Sequence, residues 1–263
     1  MPIGLFRRII DQLANKDIVC LSLHKLGELL LHPRIAEMIS YAKEKRIKHV
    51  RFATNATLLN TELGRKIIDS GLDSITFSMD ALSGQRYCPA GDRKNIFTRL
   101  DRNISTFIKL RNKKGKKPKI FMQIITMEET KDIIKQFIKK WAGIADDVMV
   151  KNVLSWAGEF NFGNCKQINR RLLCMNHLTQ GVINWDAKVT TCCLFDNSDG
   201  CRDGVIGNIA QNSLDEIFYG KKRLELVTSQ LKGDYKNVPH CMRCPDWNDY
   251  LDRFRPARGS LQT

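Results

Sequence analysis

The sequence predicts an α/β fold with a parallel sheet, followed by a small cysteine-rich domain. Short apolar segments alternate with amphipathic helical segments as far as Asn152. The loops between them are brief, so successive strands are expected to pair in parallel through right-handed crossovers. This alternation stops after Asn152, and cysteines are concentrated in the last third of the chain.

The individual elements follow from periodicity and turn residues. Apolar runs bounded by turn signals predict strands over residues 17–23, 49–53, 74–79, 119–126 and 147–152. Apolar positions at helical spacing predict helices over residues 5–14, 35–45, 61–70, 95–112 and 131–141. Thr61 suits a helix start and Gly71 a helix end. Farther along, the pattern predicts two strands, over 181–185 and 188–192, and a helix over 214–231.

Composition limits the classes of protein that are plausible. A length of 263 residues with 43% hydrophobic residues fits one large domain and a small appendage. The net charge is +15, but the densest basic run, residues 109–119, contains no aromatic side chain to stack on bases. We therefore expect a solvated loop there and no nucleic-acid binding, with an acidic partner as a weaker alternative. No apolar run is long enough for a signal peptide or a membrane span, so a cytoplasmic protein is expected.

The cysteines suggest a metal site. Six of the nine lie between Cys174 and Cys244, and in a reducing compartment clustered thiols indicate metal binding before disulfides. Cys241 and Cys244 form a CxxC pair, whose turn brings both sulfurs to one side. With Cys174 and Cys192 they make a set of four thiolates, which suits zinc and an iron–sulfur cluster equally. A redox pair is another interpretation of the CxxC alone.

The choice between two adjacent cysteines rests on strand geometry. Neighbouring side chains in a strand face opposite ways, so only one of Cys192 and Cys193 is expected to bind metal, and we choose Cys192. Cys20 is expected to be a buried apolar residue. Three further cysteines lack partners at ligand spacing and are assigned no role: Cys88, Cys165 and Cys201.

Several short motifs follow one another over nearly the whole chain. Residues 24–33 (HKLGELLLHP) are similar to a GEP motif followed by LLHP, with Leu29 in place of Pro. Residues 54–59 (TNATLL) and 70–80 (SGLDSITFSMD) are similar to the words TNGTLL and SGLD followed by SxD. Residues 183–189 (INWDAKV), with Ala187 in place of Gly, precede the cysteine pair. In this order the motifs resemble the radical SAM enzymes of the SPASM/twitch group.

The resemblance implies a fold and a domain organisation. Residues 1–154 would form an incomplete parallel (βα)6-type partial TIM barrel, and residues 155–170 a connector. Residues 171–250 would form a twitch-like iron–sulfur domain, and residues 251–263 a basic tail. No cysteine follows Cys244, so the twitch form with one auxiliary 4Fe-4S cluster is the better match.

The resemblance also implies a cofactor and a reaction class. An S-adenosylmethionine site would lie at the carboxyl ends of the barrel strands, where the family's motif Glu and backbone hold the amino group of this cofactor. The chemistry would be hydrogen-atom abstraction from a small-molecule or peptide substrate of unknown identity, with a reductant such as flavodoxin or ferredoxin. The expected site residues are Gly27, Glu28, Asn55, Ser78 and Asp80.

One family motif is absent from this sequence. Radical SAM chemistry depends on a CxxxCxxC loop after the first barrel strand, and no CxxxCxxC occurs here. Five strands are predicted where the family has six. Either the sequence begins after that loop, or the protein is a relative without the SAM-cleaving cluster, used for binding or as a partner subunit. A zinc-stapled, basic nucleic-acid-binding protein is a third interpretation.

Overall fold

The structure is a computed structural model that describes residues 1–79, 93–156, 173–194, 204–236, 238, 241–242 and 244–248. Asp80, Cys88, Cys165 and Cys201 lie outside these ranges, as do most of the predicted connector and the whole predicted tail. The chain divides into two compact units. We call residues 6–153 the barrel unit, and residues 1–5 with 154–263 the cysteine unit.

The barrel unit is built on a five-stranded sheet in the order β1-β2-β3-β4-β5, with every neighbouring pair parallel. This arrangement confirms the predicted α/β class. The strands are β1 (Leu21–Ser22), β2 (Val50–Thr54), β3 (Ser74–Ser78), β4 (Lys119–Thr126) and β5 (Asp147–Asn152). The helices are α1 (Ile3–Leu13), α2 (Ile35–Glu44), α3 (Thr61–Asp69), α4 (Arg93–Lys113) and α5 (Lys131–Trp141).

One face of the sheet forms the core of the barrel unit. Each strand is followed by its neighbour in the sheet, so right-handed crossovers place all the connecting helices on the same face. Phe77 of β3 meets Phe107 of α4 edge to face, with ring centroids 5.6 Å apart. The strand side chains on this face are almost completely buried and include Phe52, Ile75, Phe77, Ile120 and Met122.

The opposite face, which we call the inner face, contains both polar and apolar side chains and is partly exposed. Paired residues of parallel strands share a face, and here Ala53 pairs with Thr76, Thr76 with Phe121, and Ser78 with Gln123. A parallel sheet that is buried on both faces reads as a nearly continuous apolar run. The polar members of these pairs, Thr76, Ser78 and Gln123, therefore indicate a face that is not fully covered by apolar packing.

The cysteine unit contains an antiparallel sheet in the order β6-β7-β8. Helix α7 begins with a capping box, in which the side chains of Ser213 and Glu216 satisfy each other's backbone N–H groups. Gly207 of β8 lies tightly against Ile217, because a Cβ at this position would come within 2.7 Å of Ile217 Cγ1. The elements are β6 (Val182–Ile183), β7 (Lys188–Thr190), β8 (Val205–Asn208), α6 (Asn176–Thr179), α7 (Leu214–Phe218) and α8 (Lys221–Lys232).

Three of the differences from the sequence predictions have a physical reason in the structure. The first strand covers only β1, and Asp17 at the start of the predicted strand lies outside the sheet, where it pairs with Lys48. The predicted helix over 214–231 is two helices, because Gly220 is extended and a side chain there would collide with the carbonyl oxygen of Glu216. Strand β8 was not predicted, since its four residues show no alternation of apolar and polar side chains.

The longest described helix is α4, with 21 residues, and its sequence contains many charged side chains. Within the described part of the chain, no helix has the length and apolar character needed to cross a bilayer.

Candidate cofactor and metal sites

The loop after β1 forms the first part of the candidate cofactor site. Gly27 has a φ of +78°, a left-handed conformation that glycine adopts without steric cost. Glu28 follows and caps a short 3₁₀ helix, Leu29–Leu31, by accepting a hydrogen bond from the N–H of Leu30 at 3.0 Å. This turn holds the Glu28 carboxylate at the carboxyl edge of the sheet.

The Glu28 carboxylate joins this loop to the end of β2. Its Oε1 accepts a hydrogen bond from Thr54 Oγ1 at 2.6 Å, and its Oε2 accepts one from the N–H of Asn55 at 2.8 Å. Thr54 is buried and also accepts a hydrogen bond from the N–H of Ala56 at 3.0 Å. The structure thus brings two predicted site residues, Glu28 and Asn55, into direct contact. Sequence reasoning did not assign a role to Thr54, although it begins the TNATLL motif.

Asn55 and Ser78 occupy neighbouring strand ends. The side-chain oxygen of Asn55 accepts hydrogen bonds from the N–H and the hydroxyl of Thr57, at 2.9 and 2.7 Å. Ser78 is the last residue of β3 and pairs in register with Gln123 of β4, whose side-chain amide donates to Ser78 Oγ at 3.3 Å. Ser78 therefore lies at the same carboxyl edge as Glu28, and Gln123 is a residue that no sequence motif marked. Asp80, the remaining predicted residue, lies outside the described part of the chain.

His24 is a further polar residue at this edge that was not predicted as a site residue. Its Nδ1 accepts a hydrogen bond from the N–H of Ala53 at 3.0 Å, and Ser22 Oγ lies 3.3 Å from the same nitrogen. Partial enclosure of the ring, together with the positive charges of Arg51 and Lys151, lowers the pKa of His24 to about 4. The imidazole is therefore neutral at pH 7, although part of the residue is exposed.

The cysteine unit contains the four predicted metal ligands. Cys174, Cys192 and Cys241 are buried, and Cys244 is partly exposed. Cys192 and Cys241 belong to one apolar cluster, which also contains Leu226 of α8. The N–H of Cys244 donates to the carbonyl oxygen of Cys241 at 3.3 Å, as expected for a CxxC turn.

Polar groups surround two of the sulfurs. The Gln230 side chain accepts a hydrogen bond from the N–H of Cys174 at 3.1 Å, and its amide nitrogen lies 3.7 Å from the Cys241 sulfur. His177 Nε2 is 3.6 Å from the same sulfur, and the N–H of Leu194 donates to the Cys192 sulfur at 3.4 Å. Gln230 and His177 are almost fully buried. Neither belongs to a motif, and only the tertiary structure reveals their position.

The geometry around Cys192 corrects the argument that separated it from Cys193. Strand β7 ends at Thr190, so neither cysteine has the alternating orientation of strand residues. A hydrogen bond from Cys193 raises the pKa of the Cys192 thiol, and burial and the charges of Cys193 and Cys174 act in the same direction. The two adjacent thiols are thus close to each other, and the choice of Cys192 as the ligand stays a prediction.

The donor chemistry of this region fits an iron–sulfur cluster. Three of the four predicted ligands are buried thiols, and N–H groups lie close to two of their sulfurs, an arrangement that tunes such clusters. Among the described residues, no three His, Cys, Asp or Glu side chains are grouped as ligands of a single metal ion. In a cubane each cysteine binds a different iron, so its ligands do not converge on one point. The set of four stays a prediction.

Comparison with known proteins finds one matching family model and several similar curated proteins. A family model described as an iron–sulfur cluster-binding SPASM domain matches residues 174–245. The tungsten-containing aldehyde ferredoxin oxidoreductase cofactor-modifying protein of Pyrococcus furiosus is 28% identical over 159 residues, which are 59% of this chain and 44% of that protein. A probable GTP 3′,8-cyclase of Methanococcus maripaludis is 39% identical over 61 residues, 23% of this chain and 20% of the cyclase.

Two solved structures share the fold. The structure of BtrN in complex with AdoMet and 2-DOIA has a TM-score of 0.60 and 14% identity, and covers 93% of this chain and 80% of BtrN. Streptococcus suis SuiB bound to the precursor peptide SuiA has a TM-score of 0.63 and 16% identity, and covers 84% of this chain and 58% of SuiB. Residues 174–245 therefore match a SPASM domain, and the chain is similar to radical SAM proteins of the SPASM group.

The fold prediction is confirmed as an α/β partial barrel followed by a cysteine-rich SPASM domain. The matches to the curated relatives span less than half of the length of those proteins, between 20% and 44% in the two cases above. The activities in their names therefore belong to proteins that are longer than the segments matched by this chain.

Proposed function

We propose that the cysteine unit binds one auxiliary 4Fe-4S cluster through Cys174, Cys192, Cys241 and Cys244. The observation that carries the proposal is the burial of three cysteine thiols, with N–H donors beside two of their sulfurs, inside the segment that matches the SPASM model. Four protein ligands leave no iron open to a substrate, so the cluster would conduct electrons or stabilise the unit. Its thiols must stay reduced, which supports a cytoplasmic location.

We further propose that the carboxyl edge of the barrel unit binds S-adenosylmethionine. Gly27, Glu28, Asn55, Ser78 and Asp80 would line this site, as the family resemblance implies. The hydrogen bond from the N–H of Asn55 to the Glu28 carboxylate supports a single site formed by the ends of β1 and β2 together. An acidic side chain at this edge is suited to the positively charged amino group of the cofactor.

In the intact enzyme, the proposed reaction class is hydrogen-atom abstraction from a C–H bond of the substrate. S-adenosylmethionine would supply the radical after it accepts one electron from a reduced cluster. A flavodoxin or ferredoxin would then reduce that cluster again. The residues of this chain would bind and orient the cofactor at the strand ends. The cluster that passes on the electron requires a CxxxCxxC loop, which this sequence does not contain.

Anaerobic reconstitution with iron and sulfide tests the metal proposal. We expect roughly four irons and four sulfides per chain, and a large loss of both in Cys241→Ser. Cys20→Ser is the matched control, because Cys20 lies in the barrel unit and should leave the iron content unchanged. Cys192→Ser and Cys193→Ser, made separately, show which of the two binds. About one zinc per chain without iron would overturn the proposal.

Calorimetric titration with S-adenosylmethionine tests the second proposal. We expect binding to the wild-type chain and at least about tenfold weaker binding to Glu28→Gln, which removes the carboxylate charge. Equal affinities for both proteins would contradict the assigned site. Formation of 5′-deoxyadenosine by this chain in the presence of a reductant would separately exclude a catalytically inactive relative.

A further inference from the structure

Three strand residues on the inner face of the barrel unit are cations: Arg51 of β2, Lys119 of β4 and Lys151 of β5. Arg51 of β2 shares a face with Ala53, which lies two residues farther along the same strand. Through paired residues this face continues across Thr76 and Phe121 to β4 and β5. Lys151 pairs with Ile125, which lies on the Phe121 face of β4. Arg51 and Lys151 therefore project from the same side of the sheet.

Arg51 differs from the structural cations of the barrel unit. Lys43 is bound to Asp73 at 2.7 Å, and Arg111 is bound to Asp146 at 3.0 Å, so each has a carboxylate partner. Among the residues that the structure describes, the Arg51 guanidinium has neither a hydrogen-bond partner nor an ion-pair partner. An exposed guanidinium that projects over a sheet face is well suited to receive two oxygens of an anion in a bidentate bond.

His24 adds a neutral donor beside these cations. Its Nδ1 accepts a hydrogen bond from the N–H of Ala53, so in the neutral ring the proton resides on Nε2, which can donate. The charges of both Arg51 and Lys151 act on this imidazole, so both cations lie within electrostatic range of His24. The acidic residue Asp147 shares this face, but its carboxylate accepts a hydrogen bond from the N–H of Val148 at 2.8 Å.

We propose that this region, defined by Arg51, Lys151 and His24, binds an oxyanion group, a phosphate or a carboxylate, of the enzyme's substrate. The Arg51 guanidinium makes the main bond, Lys151 adds a second positive charge, and the Nε2–H of His24 donates a hydrogen bond. The inference rests on the proposed function, since the strand ends above this face hold the candidate S-adenosylmethionine site. It narrows the substrate to molecules with an anionic group.

Inorganic pyrophosphate is the probe for this site, titrated calorimetrically into the full chain at about 0.15 M salt, where long-range attraction is screened. We expect Arg51→Gln to weaken binding about tenfold or more. Lys117→Gln is the matched control, because it removes one positive charge from the exposed loop before β4. Its affinity should stay within about twofold of wild type. Arg51→Lys keeps the positive charge but loses the planar guanidinium that donates two hydrogen bonds at once. Its affinity for pyrophosphate should therefore lie between those of wild type and Arg51→Gln.

Two further titrations separate the possible explanations. Succinate replaces pyrophosphate in a parallel series, and the tighter of the two ligands identifies the oxyanion class. S-adenosylmethionine should bind Arg51→Gln as tightly as wild type, whereas Glu28→Gln should lose this cofactor and keep pyrophosphate. The two proposals can therefore fail separately.

Two outcomes would overturn the oxyanion site. The first is an equal loss of pyrophosphate affinity in Arg51→Gln and Lys117→Gln, because it would mean that the anion is attracted only by the overall charge. The second is the absence of saturable binding of either anion. A circular dichroism spectrum and a urea midpoint equal to those of wild type show that Arg51→Gln is folded. If the spectrum or the midpoint of Arg51→Gln differs from wild type, Arg51→Lys becomes the deciding variant. The proposal then requires Arg51→Lys to bind pyrophosphate more weakly than Lys117→Gln does.

Discussion

Replacement of Glu28 tests whether its carboxylate connects the ends of β1 and β2. Three hydrogen bonds reach this carboxylate, from Thr54 Oγ1 and from the N–H groups of Leu30 and Asn55. Bonds to a charged acceptor contribute about 1.5–3 kcal/mol each, so three fully buried ones would contribute roughly 4–9 kcal/mol. Glu28 is only partly buried, and water can replace part of each bond. We expect Glu28→Ala to lower the free energy of unfolding by about 3 kcal/mol and Glu28→Gln by about 2 kcal/mol.

The assay is urea unfolding followed by circular dichroism, with the midpoint and slope compared among variants. Glu62→Gln is the matched control, because it removes an exposed carboxylate that pairs with Lys66 one helical turn away. A pair of this kind contributes little to stability, so its midpoint should stay close to that of wild type. The reasoning is refuted when Glu28→Gln and Glu62→Gln unfold at the same urea concentration.

Three other predictions follow from local geometry. Ala187 has a φ of +69°, so Ala187→Gly should relieve about 1–2 kcal/mol of left-handed strain. The change also loses a buried methyl, at about 0.8 kcal/mol, and adds backbone entropy to the unfolded chain, at about 0.5–1 kcal/mol, so the urea midpoint should stay close to that of wild type. A large shift of the midpoint in either direction would contradict this balance. The pKa of His24 is lowered from 6.5 to about 4. The free energy of unfolding should therefore keep its full contribution from His24 above pH 6.5 and decline as the pH falls towards 4, because in this range the unfolded chain takes up a proton that the folded chain does not. A nuclear magnetic resonance titration of the imidazole measures this pKa, and His24→Asn should remove part of the decline. In the reconstituted protein, His177→Phe should lower the reduction potential of the cluster, because the Nε2 that lies 3.6 Å from the Cys241 sulfur is lost as a hydrogen-bond donor. Redox titration followed by electron paramagnetic resonance checks the direction, and an unchanged potential would argue against this contact.

The sequence predicted most of the barrel unit because its signals are local. Strands β4 and β5 and helix α5 have the predicted bounds, since each has a clear period and is bounded by turn residues. Local signals failed where a tertiary contact decided the outcome. Gly220 divides the predicted helix over 214–231, and β8 forms only because it pairs with β7. Strand β7 ended early, which removed the reason for preferring Cys192 to Cys193.

In the candidate sites, too, local sequence signals predicted the residues, whereas tertiary contacts decided which of them meet. The motifs predicted Glu28, Asn55 and Ser78 as candidate site residues, and the structure places all three at the carboxyl edge of neighbouring strands. The motifs did not show that the N–H of Asn55 binds Glu28, or that His177 lies beside Cys241.

By itself, the sequence determined the order of helices and strands, the parallel pairing and the candidate ligands. These depend on the periodicity of neighbouring residues and on the types of side chain that bind metals and cofactors. Only the tertiary structure decided which groups meet. Glu28 and Asn55 are 27 residues apart, and His177 and Cys241 are 64 residues apart. Contacts over such separations depend on how whole elements pack together, and no local pattern in the chain encodes that packing.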